Sequence, residues 1–71
     1  MIGYLEGGIK HVDCDRCLLL VNGVGYEVLI HAKTASLTMG AGQFAFYIHH
    51  HIREDGQSLF GFSTARERDL F

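Results

Sequence analysis

The stretch Gln43 to Phe62, QFAFYIHHHIREDGQSLFGF, predicts two strands joined by a charged turn. Its first half alternates with a period of two, which is typical of a half-buried strand, with apolar side chains at Phe44, Phe46, Ile48 and Ile52. His50 interrupts this pattern because it occupies an apolar-parity position. The strand ends at Arg53-Glu54-Asp55-Gly56, where three charges and a glycine predict a turn. The stretch therefore predicts a hairpin with Arg53, Glu54 and Asp55 at its tip.

Length, composition and charge narrow the class of protein. A chain of 71 residues has room for one domain with a small core, since it buries only about 60% of its unfolded surface. Its 48% apolar and 20% charged residues are typical of a folded domain. No apolar run reaches the roughly 18 residues of a membrane helix, and the start lacks the features of a signal peptide. We therefore expect a cytoplasmic protein with no membrane partner.

The charge balance bears on nucleic-acid binding. Six basic and eight acidic residues give a formal net charge of -2. This is the wrong sign for a module that holds phosphates by bulk electrostatics. If the chain acts on nucleic acid, another surface has to supply most of the attraction.

The first 31 residues predict three strands. In the first, Met1 to Lys10, the Gly7-Gly8 pair predicts a bulge or a sharp bend, as barrels need at their corners. The continuous apolar run Cys17 to Val21 predicts a strand that is buried on both faces. Asn22-Gly23 gives a strong hairpin signal because both residues tolerate a positive φ, and the return strand runs from Tyr26 to His31.

Two short helices complete the prediction. Ala32 to Met39 is the one helical window between strands, and Ser63 to Phe71 has a helical charge pattern with Ser63 or Thr64 as its N-cap. Five strands with a helix between the third and fourth follow the order of an all-β, five-stranded Greek-key OB barrel, here with a short C-terminal helical tail. An SH3-like barrel is the nearest alternative.

Cysteine and histidine motifs suggest other chemistry. Cys14-Asp15-Arg16-Cys17 is a C-x-x-C motif that is able to form half of a zinc site or a redox dithiol. Zinc needs two more ligands, which His49 and His51 would offer from one strand face, while alternation sends His50 to the other face. A redox dithiol needs a helix after its first cysteine, whereas a strand is predicted here. Two reduced thiols are the favoured interpretation, and we expect no bound metal and no cofactor.

Four segments, in this order and spacing, resemble a single family: MIGYLEG at 1–7, NGVGYEV at 22–28, IHHHIREDGQSLFGF at 48–62 and RERDLF at 66–71. Together they are similar to the N-terminal domain of RuvA, the Holliday-junction-binding subunit of the bacterial RuvAB branch-migration complex. The similarity extends over all 71 residues. His50 and His51 depart from it, because apolar residues are usual there.

The resemblance implies a function and a set of site residues. It implies an OB fold at the centre of a homotetramer, with Glu54 and Asp55 as an acidic pin where the strands of a four-way junction cross. Arg53 would support the pin, either by offsetting its repulsion or by contacting a neighbouring subunit. The subunit would be non-catalytic, since helicase activity belongs to the complex with the RuvB motor ATPase, and no G-x-x-x-x-G-K-[ST] motif occurs in the chain.

The resemblance also implies a division of the chain. Residues 1–63 would be the OB domain, and residues 64–71 the start of a linker or helix towards a helix-hairpin-helix domain that holds the duplexes. A further domain of the family contacts RuvB. We expect the 71 residues alone to bind junctions weakly or not at all, in agreement with the net charge of -2.

Two alternatives belong to other classes of protein. One is a stand-alone OB module for single-stranded nucleic acid or for a protein, with bases stacked on Phe44, Phe46, Phe60 and Phe62. The acidic balance argues against it, and core packing is expected for most of these rings. The other is a small metal or redox protein that uses Cys14, Cys17 and the histidines.

Overall fold

The computed structural model describes all 71 residues as five strands and two short helices. These are β1 (Tyr4–Val12), β2 (Arg16–Val21), β3 (Val24–Ile30), α1 (Ala32–Thr38), β4 (Gln43–Arg53), β5 (Gly56–Phe62) and α2 (Ala65–Leu70). The strands close a barrel in the order β1-β2-β3-β5-β4, and only the β3–β5 pair is parallel. The predicted OB-type barrel, with a helix between the third and fourth strands and a helical tail, is confirmed.

Strand β1 bends where it changes partner. Its first half pairs with β4 and its second half with β2, and Gly8 pairs with both. Gly7 lies against the neighbouring backbone there, because a Cβ atom at this position would overlap the carbonyl oxygen of Leu20. The register shift comes slightly later, between Ile9 and His11. The glycine pair therefore marks the predicted bend, and the bulge follows it.

The β2–β3 turn has the conformation that its sequence predicts. Asn22 has a φ of 51° and Gly23 a φ of 84°. A two-residue hairpin turn of the I′ type needs positive φ at both central positions, and its twist matches that of the flanking strands.

Eight buried side chains form the hydrophobic core of the barrel: Leu5, Cys17, Leu19, Val28, Ile30, Ala35, Phe46 and Ile48. Strand β2 contributes only alternate residues, since Cys17 and Leu19 are buried while Leu18 and Leu20 are 37% and 42% exposed. The prediction that this run is buried on both faces is wrong. A barrel wall has one inner face, and alternation sends every second side chain to the outside.

A glycine allows the barrel to close below the hairpin. Gly61 is buried and pairs with Ile30 on β3 and Ile48 on β4. A Cβ atom at this position would lie 2.5 Å from Cγ1 of Val28 and 3.0 Å from Cδ1 of Phe46. The rings and methyl groups of the core therefore occupy the space that any larger residue would need.

Candidate functional site

The hairpin of β4 and β5 extends out of the barrel. Along the inner parity of β4, the exposed fraction rises from 0% at Phe46 and 3% at Ile48 to 58% at Ile52. The apolar alternation of β4 therefore continues to Ile52, beyond the residues that pack in the core. Residues 49–58, which we call the arm, place the acidic turn beyond the barrel wall.

Strand pairing explains why the arm stands alone. The β1–β4 ladder ends at Tyr47, and the β3–β5 ladder begins only at Leu59. Beyond these points β4 and β5 pair with each other as far as Arg53 and Gly56. The arm is therefore a two-stranded ribbon, which by itself is only marginally stable in water.

Glu54 and Asp55 form the two-residue turn at the tip, and both side chains are exposed. Asn22 is the one non-glycine residue with a positive φ, so neither turn residue adopts the I′ or II′ conformation. Gly56 comes after the turn and opens β5, with a positive φ of 158° that residues with a side chain rarely adopt. The turn lies where it was predicted, but Gly56 is the first residue of β5 and not one of the two turn residues.

No ion pair within 4 Å neutralises the tip. The ion pairs of the structure all lie elsewhere: His11–Asp13, Arg16–Asp15, Arg16–Glu27 and Arg68–Asp69. Arg53 is exposed and reaches neither carboxylate of the turn within that distance. The two negative charges and the neighbouring positive charge therefore remain available to a partner.

The N-terminal segment ties down the base of the arm. The Ile48 N–H donates to the Gly3 carbonyl oxygen at 2.9 Å, and the Ile2 N–H donates to Nδ1 of His50 at 3.0 Å. The other ring nitrogen of His50, Nε2, lies 2.5 Å from Oε1 of Gln57 on β5. The sequence pattern marks His50 as an interruption of the apolar alternation, but it carries no local signal of a hydrogen bond to a residue 48 positions away.

The outer face of the hairpin carries a cluster of aromatic rings. Phe71, which follows α2, packs on Phe60 and Phe62 with ring centroids 5.0 and 5.1 Å apart, and on His49 at 5.2 Å. The expectation of core packing is correct for Phe46 and wrong for Phe60 and Phe62, which are half-buried on the outside. Gly61 faces the core between them, so alternation along β5 sends the side chains of Phe60 and Phe62 to the outer face.

Helix α2 is capped and docked on the barrel. Of the two predicted N-caps the structure has Thr64, whose Oγ1 accepts a hydrogen bond from the Glu67 N–H at 3.2 Å. The Ser63 hydroxyl donates to the Glu67 carboxylate at 2.6 Å, and this bond is the main cause of the lowered pKa of Glu67. Arg68 donates to the Gly3 carbonyl oxygen at 3.2 Å and lies 5.6 Å from the centre of the Tyr47 ring.

The metal and redox motifs are not assembled into a site. Cys14 is an exposed thiol on the β1–β2 turn, whereas Cys17 is buried in the core, and burial raises the pKa of the Cys17 thiol. His49 and His51 share a face as predicted, with ring centroids 6.1 Å apart. No three His, Cys, Asp or Glu side chains are arranged to hold a metal ion. The geometry gives the zinc hypothesis no second pair of ligands.

Neither helix of the structure is long and apolar enough to cross a bilayer.

Comparison with known proteins adds an independent observation. A family model described as the RuvA N terminal domain matches residues 1–61. Three curated relatives, each called Holliday junction branch migration complex subunit RuvA, come from Syntrophobacter fumaroxidans, Xanthobacter autotrophicus and Brevibacillus brevis, and the chain is 44%, 46% and 32% identical to them. The alignments cover 100% of this chain and 35 to 36% of each relative. The chain thus spans about a third of the length of these relatives.

Proposed function

The chain belongs to the RuvA N-terminal domain family, and from this premise we propose that it is the barrel domain of a non-catalytic scaffold subunit of a branch-migration complex. The subunit binds Holliday junctions as a homotetramer and supports branch migration in recombinational DNA repair. It works with the RuvB motor ATPase, which supplies the ATP-driven step, in the cytoplasm where bacterial DNA lies.

One observation carries the proposal: an unneutralised acidic turn at the tip of an arm that leaves the barrel. Glu54 and Asp55 form the acidic pin. Four copies around a central axis would bring eight carboxylates, two from each chain, to the crossing point of the strands. Fixed negative charges there repel phosphates that approach the centre and direct the strands to paths farther out.

The pin acts at short range. Two unit charges about 4 Å apart repel by about 1 kcal/mol in water, and more where water is partly excluded. The Debye length is about 8 Å at physiological salt, so the repulsion fades within a few ångströms of the tip. The pin therefore guides strands that other surfaces hold. Arg53 supports it from the last position of β4, and its unpaired guanidinium favours a contact with a neighbouring subunit over direct neutralisation.

Other parts of the subunit hold the duplexes. The net charge of -2 fits a domain that guides strands without gripping phosphates. Residues 1–63 are the OB domain, and residues 64–71 begin the connection to a helix-hairpin-helix domain that binds the duplex backbone. A further domain contacts RuvB. The relatives have the length for such domains, since this chain matches only about a third of each.

The stand-alone OB module remains the second candidate, and the outer-face aromatic rings are the observation that favours it. Phe60 and Phe62 are half-exposed on a sheet surface, where aromatic rings stack on bases in some OB folds. Phe71 packs against both rings, however, and competes for the same face. The acidic charge balance further disfavours this candidate.

The experiment replaces the pin in a full-length subunit whose first 71 residues are this chain. In the variant Glu54→Gln/Asp55→Asn, we expect binding of a synthetic four-way junction to stay the same or tighten, while RuvB-driven branch migration changes in rate. Glu6→Gln/Asp13→Asn is the matched control, because it makes the same charge change on exposed residues away from the tip. Lost junction binding with an unchanged fold would contradict the pin assignment, as would equal effects of the two variants.

Assembly is tested separately by light scattering on the 71-residue chain over a range of concentrations. A native mass of about 32 kDa, four times the 7.9 kDa chain, places the ring contacts within these residues. A monomer at every concentration moves the contacts to other parts of the subunit and strengthens the stand-alone alternative.

A further inference from the structure

The arm needs a brace that its own two strands do not supply. Residues 49–58 have no third strand on either side, and the inner face of the arm ends in an exposed Ile52. A ribbon of this kind twists and bends easily in water. The direction in which the tip points therefore depends on contacts at the base of the arm.

His50 lies at this base and connects three segments. It occupies the inner parity of β4, between the buried Ile48 and the exposed Ile52. Nδ1 accepts the Ile2 N–H, and Nε2 contacts Oε1 of Gln57. The imidazole thus joins the N-terminal segment to β5 across β4. An apolar side chain, which the alternation predicts at this parity, makes neither bond.

The two hydrogen bonds require one protonation state. A backbone N–H only donates, so Nδ1 has to be an unprotonated acceptor. The amide oxygen of Gln57 only accepts, so Nε2 has to carry the proton. The neutral Nε2–H tautomer satisfies both conditions, whereas protonation of Nδ1 turns the acceptor facing Ile2 into a second donor.

We propose that His50 is the positioning residue of the acidic turn, and that its neutral imidazole fixes the arm against the N-terminal segment. The role in strand guidance rests on the proposed function, whereas the coupling within the chain does not. Protonation of His50 releases Ile2 and loosens the arm, so the tip becomes mobile as the pH falls.

The surroundings of His50 contain few groups that would hold a charged imidazole. The titratable and charged groups on the neighbouring elements are the Met1 amine, Tyr26 and Glu27 on β3, His49 on β4, and Arg68 and Asp69 on α2. None of them forms an ion pair with His50, and Glu27 already lies 3.6 Å from Arg16. Gln57 and Ser58 on β5 are uncharged. Protonation therefore loses the bond to Ile2 and gains no ion pair in exchange.

Nuclear magnetic resonance on the 71-residue chain tests the coupling directly. Long-range ¹⁵N–¹H spectra of the ring should show the Nε2–H tautomer at neutral pH. Between about pH 5.5 and 8, above the usual range of carboxylates, the backbone amides of Ile2, Glu54 and Asp55 should shift with the same midpoint as the His50 ring. An Ile2 amide that ignores the titration of His50, or a ring in the Nδ1–H tautomer, overturns the proposal.

Variants separate positioning from a general effect of pH. In His50→Leu the common titration of the tip amides should disappear, whereas in the control His51→Leu, on the opposite strand face, it should remain. Gln57→Leu should leave Ile2 coupled to His50 and release the tip. Removing one hydrogen bond should change the ratio of braced to unbraced arm about fivefold. If the tip amides titrate equally in His50→Leu, the proposal is wrong.

The same variants in the full-length subunit connect the coupling to function. The branch-migration rate of the unmodified subunit should fall as the pH is lowered through the midpoint measured for the Ile2 amide, by at most about fivefold as expected for the loss of one hydrogen bond, and that of His50→Leu should change less. Coupling in the spectra without any junction activity would refute the proposed function and leave the brace intact. Activity with a pH profile identical in His50→Leu would refute the role of the brace in positioning.

Discussion

Replacing Gly61 with alanine should strongly destabilise the barrel, because the added methyl group has no free space in the core. The new Cβ atom would lie 2.5 Å from Cγ1 of Val28 and 3.0 Å from Cδ1 of Phe46, both in fully buried side chains. These neighbours would have to shift within the core, and overpacking of this kind typically destabilises by about 1 to 3 kcal/mol. A chain of this size has a free energy of unfolding of about 4 to 10 kcal/mol, so the loss is a large fraction of the total.

Thermal and urea unfolding, followed by circular dichroism, measure the effect. A loss of about 2 kcal/mol lowers the Tm by about 8 to 16 °C in a domain of this length. Gly8→Ala is the matched control, because its Cβ would meet only the Gly42 carbonyl oxygen at an ordinary 3.8 Å. Its effect should stay below about 1 kcal/mol.

A second substitution tests the stated cause. Val28→Ala removes the methyl group that the new Cβ would strike, so Gly61→Ala should be less destabilising in that background, with a coupling energy of about 1 kcal/mol. Purely additive effects, or a Gly61→Ala variant as stable as Gly8→Ala, would refute the argument that packing at this position excludes a side chain. The test also matters for the site, since Gly61 lies in the last closed part of the barrel below the arm.

Three further predictions concern the tail, the thiols and pH. Phe71→Ala should loosen α2 by about 1 kcal/mol, because it removes the ring that packs on the outer-face aromatic cluster, and faster amide exchange in α2 would show this. A thiol reagent should label Cys14 in the folded protein and Cys17 only on unfolding, which mass spectrometry after partial labelling resolves. The pKa of Glu67 is lowered in the folded protein, so the ionised carboxylate stabilises the α2 cap at pH values above its unfolded pKa of 4.5. This stabilisation should be lost as the pH falls through the folded pKa. In an acid titration of the α2 amides, Ser63→Ala should weaken this pH dependence.

Local pattern was sufficient for much of the fold. Alternation along Gln43 to Phe62, the charged turn within it and the Asn22-Gly23 signal predicted the two hairpins, and the order of the elements predicted the barrel. These features depend on backbone preference and on a period of two, which act over a few residues. The acidic tip was identified for the same reason, since its residues are neighbours in the chain.

Only the tertiary structure decided which faces are covered. The continuous apolar run Cys17 to Val21 is compatible with burial of one strand face or of both. In the barrel only one face is buried, and Leu18 and Leu20 lie on the outside. Phe60 and Phe62 were expected inside, but Gly61 takes the inward position because Val28 and Phe46 fill the space above it. Burial depends on what packs opposite, and sequence pattern does not contain that information.

The arm shows most clearly which features follow from the sequence and which from the tertiary structure. Its residues and its turn follow from the sequence alone, because they pair with near neighbours in the chain. Its projection follows from where two other ladders stop, at Tyr47 and Leu59, and its brace from a hydrogen bond between Ile2 and His50, 48 residues apart. Contacts between distant segments exist only after the barrel closes. The sequence by itself therefore determined which residues form the tip, and the tertiary structure decided where the tip stands and what supports it.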